Sequence, residues 1–166
     1  YISFITDAFS RKAVGYHVAQ TLETVETIQA LRMALSGLSE RPEGHPKLIH
    51  HSDRGVQYCS QGYVRLLQDY QVQISMTENG DPLENAIAER LNGILKDEYL
   101  NDSPVKSIGD AKVVLSRAVY LYNEDRPHMS IGNHYPSQVH QQSLKTIRLW
   151  KNYYKKNPII VNQSQD

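Results

Sequence analysis

Short runs with a two-residue apolar period and longer runs with a helical period alternate along most of this chain. Residues 1–6 are apolar at Ile2, Phe4 and, less regularly, Ile5. Residues 12–19 alternate through Val14, Tyr16 and Val18, which predicts the two strands of a hairpin. The polar link from Asp7 to Arg11 suits the turn. Thr21 is placed to cap a helix over 24–38, where Val25, Ile28, Leu31, Ala34, Leu35 and Leu38 recur at helical spacing. Residues 39–46 carry Pro and Gly and read as a loop. A short buried strand over 47–51 follows, then a helix entered through Tyr58-Cys59-Ser60, with Tyr63, Leu66, Leu67 and Tyr70 on one face. Residues 72–76 predict another strand, Asn79-Gly80-Asp81-Pro82 a turn, and a third helix begins near Leu83 or Glu84. A fourth helix spans about 107–122, with Ala111, Val114, Leu115, Ala118, Leu121 and Tyr122 as its stripe. Residues 123–135 are irregular, and Pro136-Ser137-Gln138 opens another helix. The order strand, strand, helix, strand, helix, strand, helix, helix implies a mixed α/β domain.

At 166 residues the chain fits one domain with a real core. No apolar run approaches the ~20 residues of a membrane span. Cys59 is the only cysteine, which excludes an internal disulfide and argues against a zinc cluster. A net charge of +0 argues against a uniformly basic nucleic-acid binder. The charge is uneven, however. Lys145, Arg148, Lys151, Lys155 and Lys156 occur without an acid among them, interleaved with Trp150, Tyr153 and Tyr154. That mixture suits phosphate contacts beside an aromatic platform. It equally suits a solvated helix whose aromatics pack on the core.

The chemistry-bearing residues lie in two stretches. Asp53 stands in His50-His51-Ser52-Asp53-Arg54-Gly55, directly after the apolar Leu48-Ile49. Glu89 lies in the third helix, and Lys96 follows seven positions later, about two turns on. On that helix Ile87, Leu91, Ile94 and Leu95 share a face that should be buried. Asn85, Glu89, Asn92 and Lys96 share another, so a carboxylate and a cation can face one cleft. A carboxylate at a strand end, a second on a helix face and a lysine two turns away can hold a divalent metal and a phosphodiester together. The plainer alternatives are an Asx turn at Asp53 and an ordinary exposed polar helix face. His50 and His51 are a poor metal pair, because neighbours on a strand point to opposite faces. Arg54 and Gly55 suit a phosphate contact or a tight turn. Gln57 and Tyr58 suit either a DNA end or helix-entry packing. Arg126-Pro127-His128, after Tyr122-Asn123, suits phosphate backbone contact or a clamp on the last helices.

These stretches resemble the DDE transposases of bacterial insertion sequences, of the integrase-core type, whose relatives include retroviral integrases. The matching words are Asp7 to Lys12 with Val14-Gly15, His50 to Ser60, Ser75 to Pro82 running into Lys96, and Tyr122-Asn123 with Arg126-Pro127-His128. The resemblance covers residues 1–142, an integrase catalytic core, and leaves 143–166 as a basic, aromatic tail or helix. It implies an RNase H-like fold, a mixed sheet flanked by helices. It implies Asp53 and Glu89 as catalytic metal ligands, with Mg2+ or Mn2+ as cofactor. It further implies DNA contacts from Lys96, Arg54, Asn92, Arg126 and His128. The implied partners are DNA, as element ends and target, and further copies of the chain assembled on it. The implied setting is the bacterial cytoplasm, without a membrane partner.

One departure stands out. The family has three carboxylates, the first on a strand at the middle of the sheet, upstream of the strand that opens this chain. That strand and its Asp are expected to be missing here. Asp7 matches a turn position and not the first ligand. The leading expectation is therefore part of a transposase core that cleaves and joins DNA ends by metal-dependent phosphoryl transfer, inactive as it stands. The alternatives are an RNase H-like metal-dependent nuclease and a catalytically inactive DNA-binding or assembly module.

Overall fold

A computed structural model describes residues 1–38, 48–77, 85–101, 103–142 and 144. The hairpin forms as expected. Strands β1 (Ile2–Thr6) and β2 (Ala13–Val18) pair antiparallel, with Ile2 opposite Val18 and Ile5 opposite Gly15. Asp7 organises the turn by accepting the Phe9 amide at 2.8 Å. Helix α1 (Thr24–Ser36) packs on β2, and Gly15 explains how closely. A Cβ there would lie 2.1 Å from the Ala30 carbonyl oxygen.

The helix starts later than Thr21 would set it. Glu23 is its N-cap and makes no side-chain cap bond. Thr21 is thus too far from the first turn to serve its amides.

Strand β3 (Ile49–Ser52) pairs in parallel with β4 (Gln73–Met76), joined through α2 (Gln61–Asp69). Ser60 caps α2, its hydroxyl accepting the Tyr63 amide. Tyr63 and Leu67 are buried, but Tyr70 lies beyond the helix end and is exposed. Helix α3 (Ala86–Leu95) is followed directly by a π-helical turn, Lys96–Leu100. Helix α4 (Ile108–Glu124) begins at Ser107, whose hydroxyl accepts the Asp110 amide. A short 3-10 turn (Met129–Ile131) leads to α5 (Pro136–Gln142). The expected turn at 79–82, the expected helix start at 83–84 and the basic segment 145–156 lie outside the described residues.

Two apolar clusters hold these elements. One joins Ala13 and Val18 of β2 to Leu91, Ile94 and Leu95 of α3 and to Leu115, Ala118, Val119 and Tyr122 of α4. The other joins Leu31 and Leu35 of α1 to Tyr63 and Leu67 of α2 and to Val72. Ile87, expected in the first cluster, remains exposed, because the packed face of α3 begins one turn later at Leu91.

The strands form two separate two-stranded sheets among the described residues. The backbone bonds show which edges remain open. The Tyr1 ammonium donates to the Ala19 carbonyl at 2.8 Å, and the Ala19 amide donates to the Tyr1 carbonyl at 3.0 Å. By alternation Ser3 and Ile5 also bond to β2, so Ile2 and Phe4 turn their N–H and C=O groups outward. The Gln73 amide donates to Leu48 and the Thr77 amide to Ser52. Ile49 and His51 therefore direct theirs away from β4.

Candidate active site

Asp53 emerges directly from the carboxyl end of β3, where open α/β sheets place their ligands. Several bonds hold that exit. Oδ1 of Asp53 accepts the Gly55 amide at 2.8 Å, and the Gly55 carbonyl accepts the Tyr58 amide at 2.9 Å. The Asx turn thus forms, and it leaves Oδ2 without a partner among the described residues. Arg54 Nε donates to the Thr77 carbonyl at 2.6 Å, while the Thr77 amide donates to Ser52. The loop that carries Asp53 is thereby tied to the end of β4, with the Asp53 side chain exposed to solvent.

The adjacent histidines divide as strand geometry requires. His50 packs against Tyr63, whose hydroxyl lies 3.2 Å from Nε2, and burial, with His51 beside it, lowers the His50 pKa to about 4. At neutral pH its ring is uncharged. His51 is exposed, with Nδ1 2.9 Å from the Ser75 hydroxyl. Tyr58 is half-buried, edge-on to Tyr63, and burial together with the Asp53 charge raises its phenol pKa.

Glu89 lies in the first turn of α3. Glu89, Asn92 and Lys96 are exposed, Asn85 is half-buried, and Leu91, Ile94 and Leu95 are buried behind them. The polar face read from the spacing is therefore present. Lys96 closes α3, its amide donating to the Asn92 and Gly93 carbonyls. It is the first residue of the π-helical turn, and its carbonyl accepts the Asn101 amide at 3.0 Å. Asp53 and Glu89 are hard oxygen donors of the kind magnesium takes. Among the described residues, no group of three or more His, Cys, Asp or Glu side chains is placed to hold a metal ion.

The Tyr122 to His128 stretch faces inward. Asn123 is buried at the end of α4, and its amide accepts from Ala13 N at 2.9 Å and donates to Ala13 O at 3.0 Å. The Tyr122 hydroxyl donates to the Arg11 carbonyl at 3.0 Å. Arg126 makes a two-pronged ion pair with Glu98, Nε to Oε2 and Nη2 to Oε1, both at 2.6 Å. His128 is 7% exposed and packs edge-on against Tyr122. Burial, aided by the nearby Arg126 charge, lowers the His128 pKa to about 4. Of the residues read as DNA contacts, Arg54, Asn92 and Lys96 face solvent, whereas the Arg126 guanidinium is taken up by Glu98 and the His128 ring is covered.

Asp7 is also occupied. Its Oδ2 lies 2.9 Å from Nδ1 of His140 in α5, and its Oδ1 takes the Phe9 and Ser10 amides. Sequence reasoning missed Glu98 and His140, and named Asn123 without giving it a role of its own. Asn123 carried a signal, since it falls four residues after the buried Val119 and one after Tyr122, on the face that α4 buries.

Residues 1–82 and 70–136 match two family models, each described as an integrase core domain. The chain belongs to the integrase-core family. It is 33% identical over 143 residues to a putative transposase for insertion sequence element IS986/IS6110 of Mycobacterium tuberculosis, covering 84% of this chain and 51% of that protein. It is 31% identical over 147 residues to the transposase for insertion sequence element IS629 of Shigella sonnei, covering 89% of this chain and 48% of that protein. The chain thus spans about half the length of these relatives. Among solved structures, the HTLV-2 integrase catalytic core domain in complex with magnesium superposes with a TM-score of 0.56 at 24% identity, over 81% of this chain and 80% of that one. An intasome of simian T-cell lymphotropic virus gives 0.64 at 22% identity, over 93% of this chain and 51% of that one. The RNase H-like α/β fold of the integrase core is therefore the fold of this chain.

Proposed function

We propose that this chain is the catalytic-core part of an insertion-sequence transposase that cleaves and joins DNA ends by in-line phosphoryl transfer. The observation that carries the reading is Asp53 at a strand end, with one carboxylate oxygen free of partners among the described residues, in a chain of the integrase-core family. Asp53 and Glu89 would hold a magnesium or manganese ion. When bound, such ions activate the attacking oxygen and stabilise the leaving one. The protein's own contribution is placement. The Asx turn and the Arg54–Thr77 bond fix the Asp53 carboxylate, and the buried Leu91, Ile94 and Leu95 fix the face that presents Glu89. Lys96 and Asn92 on that face, with Arg54 beside Asp53, would meet DNA phosphates. Copies of the chain would assemble on DNA in the cytoplasm.

The test is strand transfer of pre-cut element ends in magnesium by the whole transposase carrying this chain. D53N and E89Q are each expected to abolish joining, and isothermal titration should show weakened magnesium binding. Joining that survives D53N, or robust transfer by residues 1–166 alone that D7N removes, would overturn the assignment. Hydrolysis without joining would favour a nuclease.

A further inference from the structure

The π-helical turn Lys96–Leu100 continues the helix that carries Glu89; Tyr99 and Leu100 pack on the first apolar cluster, and Ser103 bonds to the Tyr99 and Leu100 carbonyls. Glu98 in that turn takes both prongs of the Arg126 guanidinium, 28 positions away in sequence. Arg126 sits just after α4. Its amide donates to the Leu121 carbonyl, so its backbone is fixed to the end of that helix. His128, buried against Tyr122, stands beside it with Nδ1 3.5 Å from Nη1. Tyr122 and Asn123 in turn bond to the backbone of Arg11 and Ala13. A rigid chain of contacts thus runs from the hairpin through the end of α4 to Glu98. A π turn has wider backbone geometry than an α turn and is rare without a reason. A two-pronged guanidinium–carboxylate pair fixes orientation as well as distance. Lys96 joins helix and turn: its amide donates back to the Asn92 and Gly93 carbonyls of α3, and its carbonyl accepts the Asn101 amide, so an ordered turn holds Lys96 from its C-terminal side.

We propose that Arg126 is a positioning residue: through Glu98 it locks the π-helical turn that aims Lys96 at DNA, and it does not itself contact phosphate. This rests on the reading of Lys96 as a phosphate contact. The two roles for Arg126 demand opposite responses to loss of Glu98. If Arg126 bound phosphate, E98Q would release it and remove a competing anion, and DNA binding would tighten. If Arg126 positions Lys96, E98Q weakens binding although it deletes a negative charge.

The experiment is fluorescence anisotropy of the 166-residue chain with a labelled duplex over a salt series. Wild type, K96A, E98Q, R126Q, the charge swap E98R/R126E and the double variant E98Q/K96A are compared. Hydrogen exchange of the 96–101 amides is followed in each. E98Q and R126Q are each expected to weaken binding as much as K96A does, with a salt slope smaller by about 1. K96A should add nothing in the E98Q background, and the 96–101 amides should exchange faster in E98Q and R126Q. The charge swap should restore both readouts. Tighter or unchanged binding by E98Q, with K96A still weakening it, overturns the proposal while leaving Lys96 in place. Binding that K96A leaves unchanged overturns the reading of Lys96 beneath it. The exchange data report the clamp separately in either case.

Discussion

Asn123 gives both ends of its amide to the backbone of Ala13, 110 positions earlier, in a buried setting. Replacing it strands one N–H and one C=O away from water, and each stranded group costs about 1–3 kcal/mol. N123A is expected to lower unfolding stability by about 3 kcal/mol, read from urea denaturation beside wild type. Asp7 provides the counterpart in pH. Burial alone would raise its pKa, but the bond from His140 and the Phe9 and Ser10 amides outweigh burial and lower it from 3.8 to about 2. The folded state therefore favours the carboxylate, a gain of about 2 kcal/mol that is present above pH 4. That gain is lost as pH falls toward 2. Wild type and D7A should differ by about this amount at pH 5 and converge near pH 2 in acid unfolding followed by circular dichroism. Neither contact could be read along the chain. Asn and Asp near a turn or a helix end read as local caps, and only the fold reveals partners more than 100 residues away.

At the scale of elements, periodicity was informative wherever one face is buried. The stripe of α4 and the Leu91, Ile94, Leu95 face of α3 stand where spacing placed them. It misled at element ends, where packing stops before the pattern does, as at Ile87 and Tyr70. The π-helical turn was invisible, because Lys96 to Leu100 is ordinary helical sequence and the Glu98–Arg126 pair joins positions 28 apart. Exposure of Glu89, Asn92 and Lys96 was legible, whereas Arg126 and His128 stayed open between phosphate contact and a clamp on the last helices. Caps show the same division. Ser107 serves α4 from the Ncap position, accepting the Asp110 amide at 3.1 Å. S107A should cost about 1 kcal/mol in urea denaturation, while T21A, three residues ahead of α1, should cost nothing measurable.

At the scale of the molecule, two strand pairs stand where an α/β domain would ordinarily carry one sheet, and each pair leaves an edge open. Two-stranded sheets are marginal by themselves, and open edges recruit other strands. Ile2 and Ile49 are both exposed on these edge strands, at 40% and 63%. The purified chain is therefore expected to associate as concentration rises, measured by light scattering. I49K at the open edge of β3 should suppress that association.

The divided sheet also decides how the chain comes apart. A continuous hydrogen-bonded ladder makes the strands of a domain melt together, and here no such ladder links the hairpin to β3 and β4. Among the described residues, α1 links the two apolar clusters: it packs on β2 by the close approach at Gly15 and carries Leu31 and Leu35 into the second cluster. Gly15 is in that sense the molecule's coupling point. G15A would force the Ala30 carbonyl away by overpacking, at a cost of about 1–3 kcal/mol. It is expected to split one thermal transition into two in calorimetry, with the β3–α2–β4 amides exchanging as one cooperative unit and the hairpin with α3 and α4 as another.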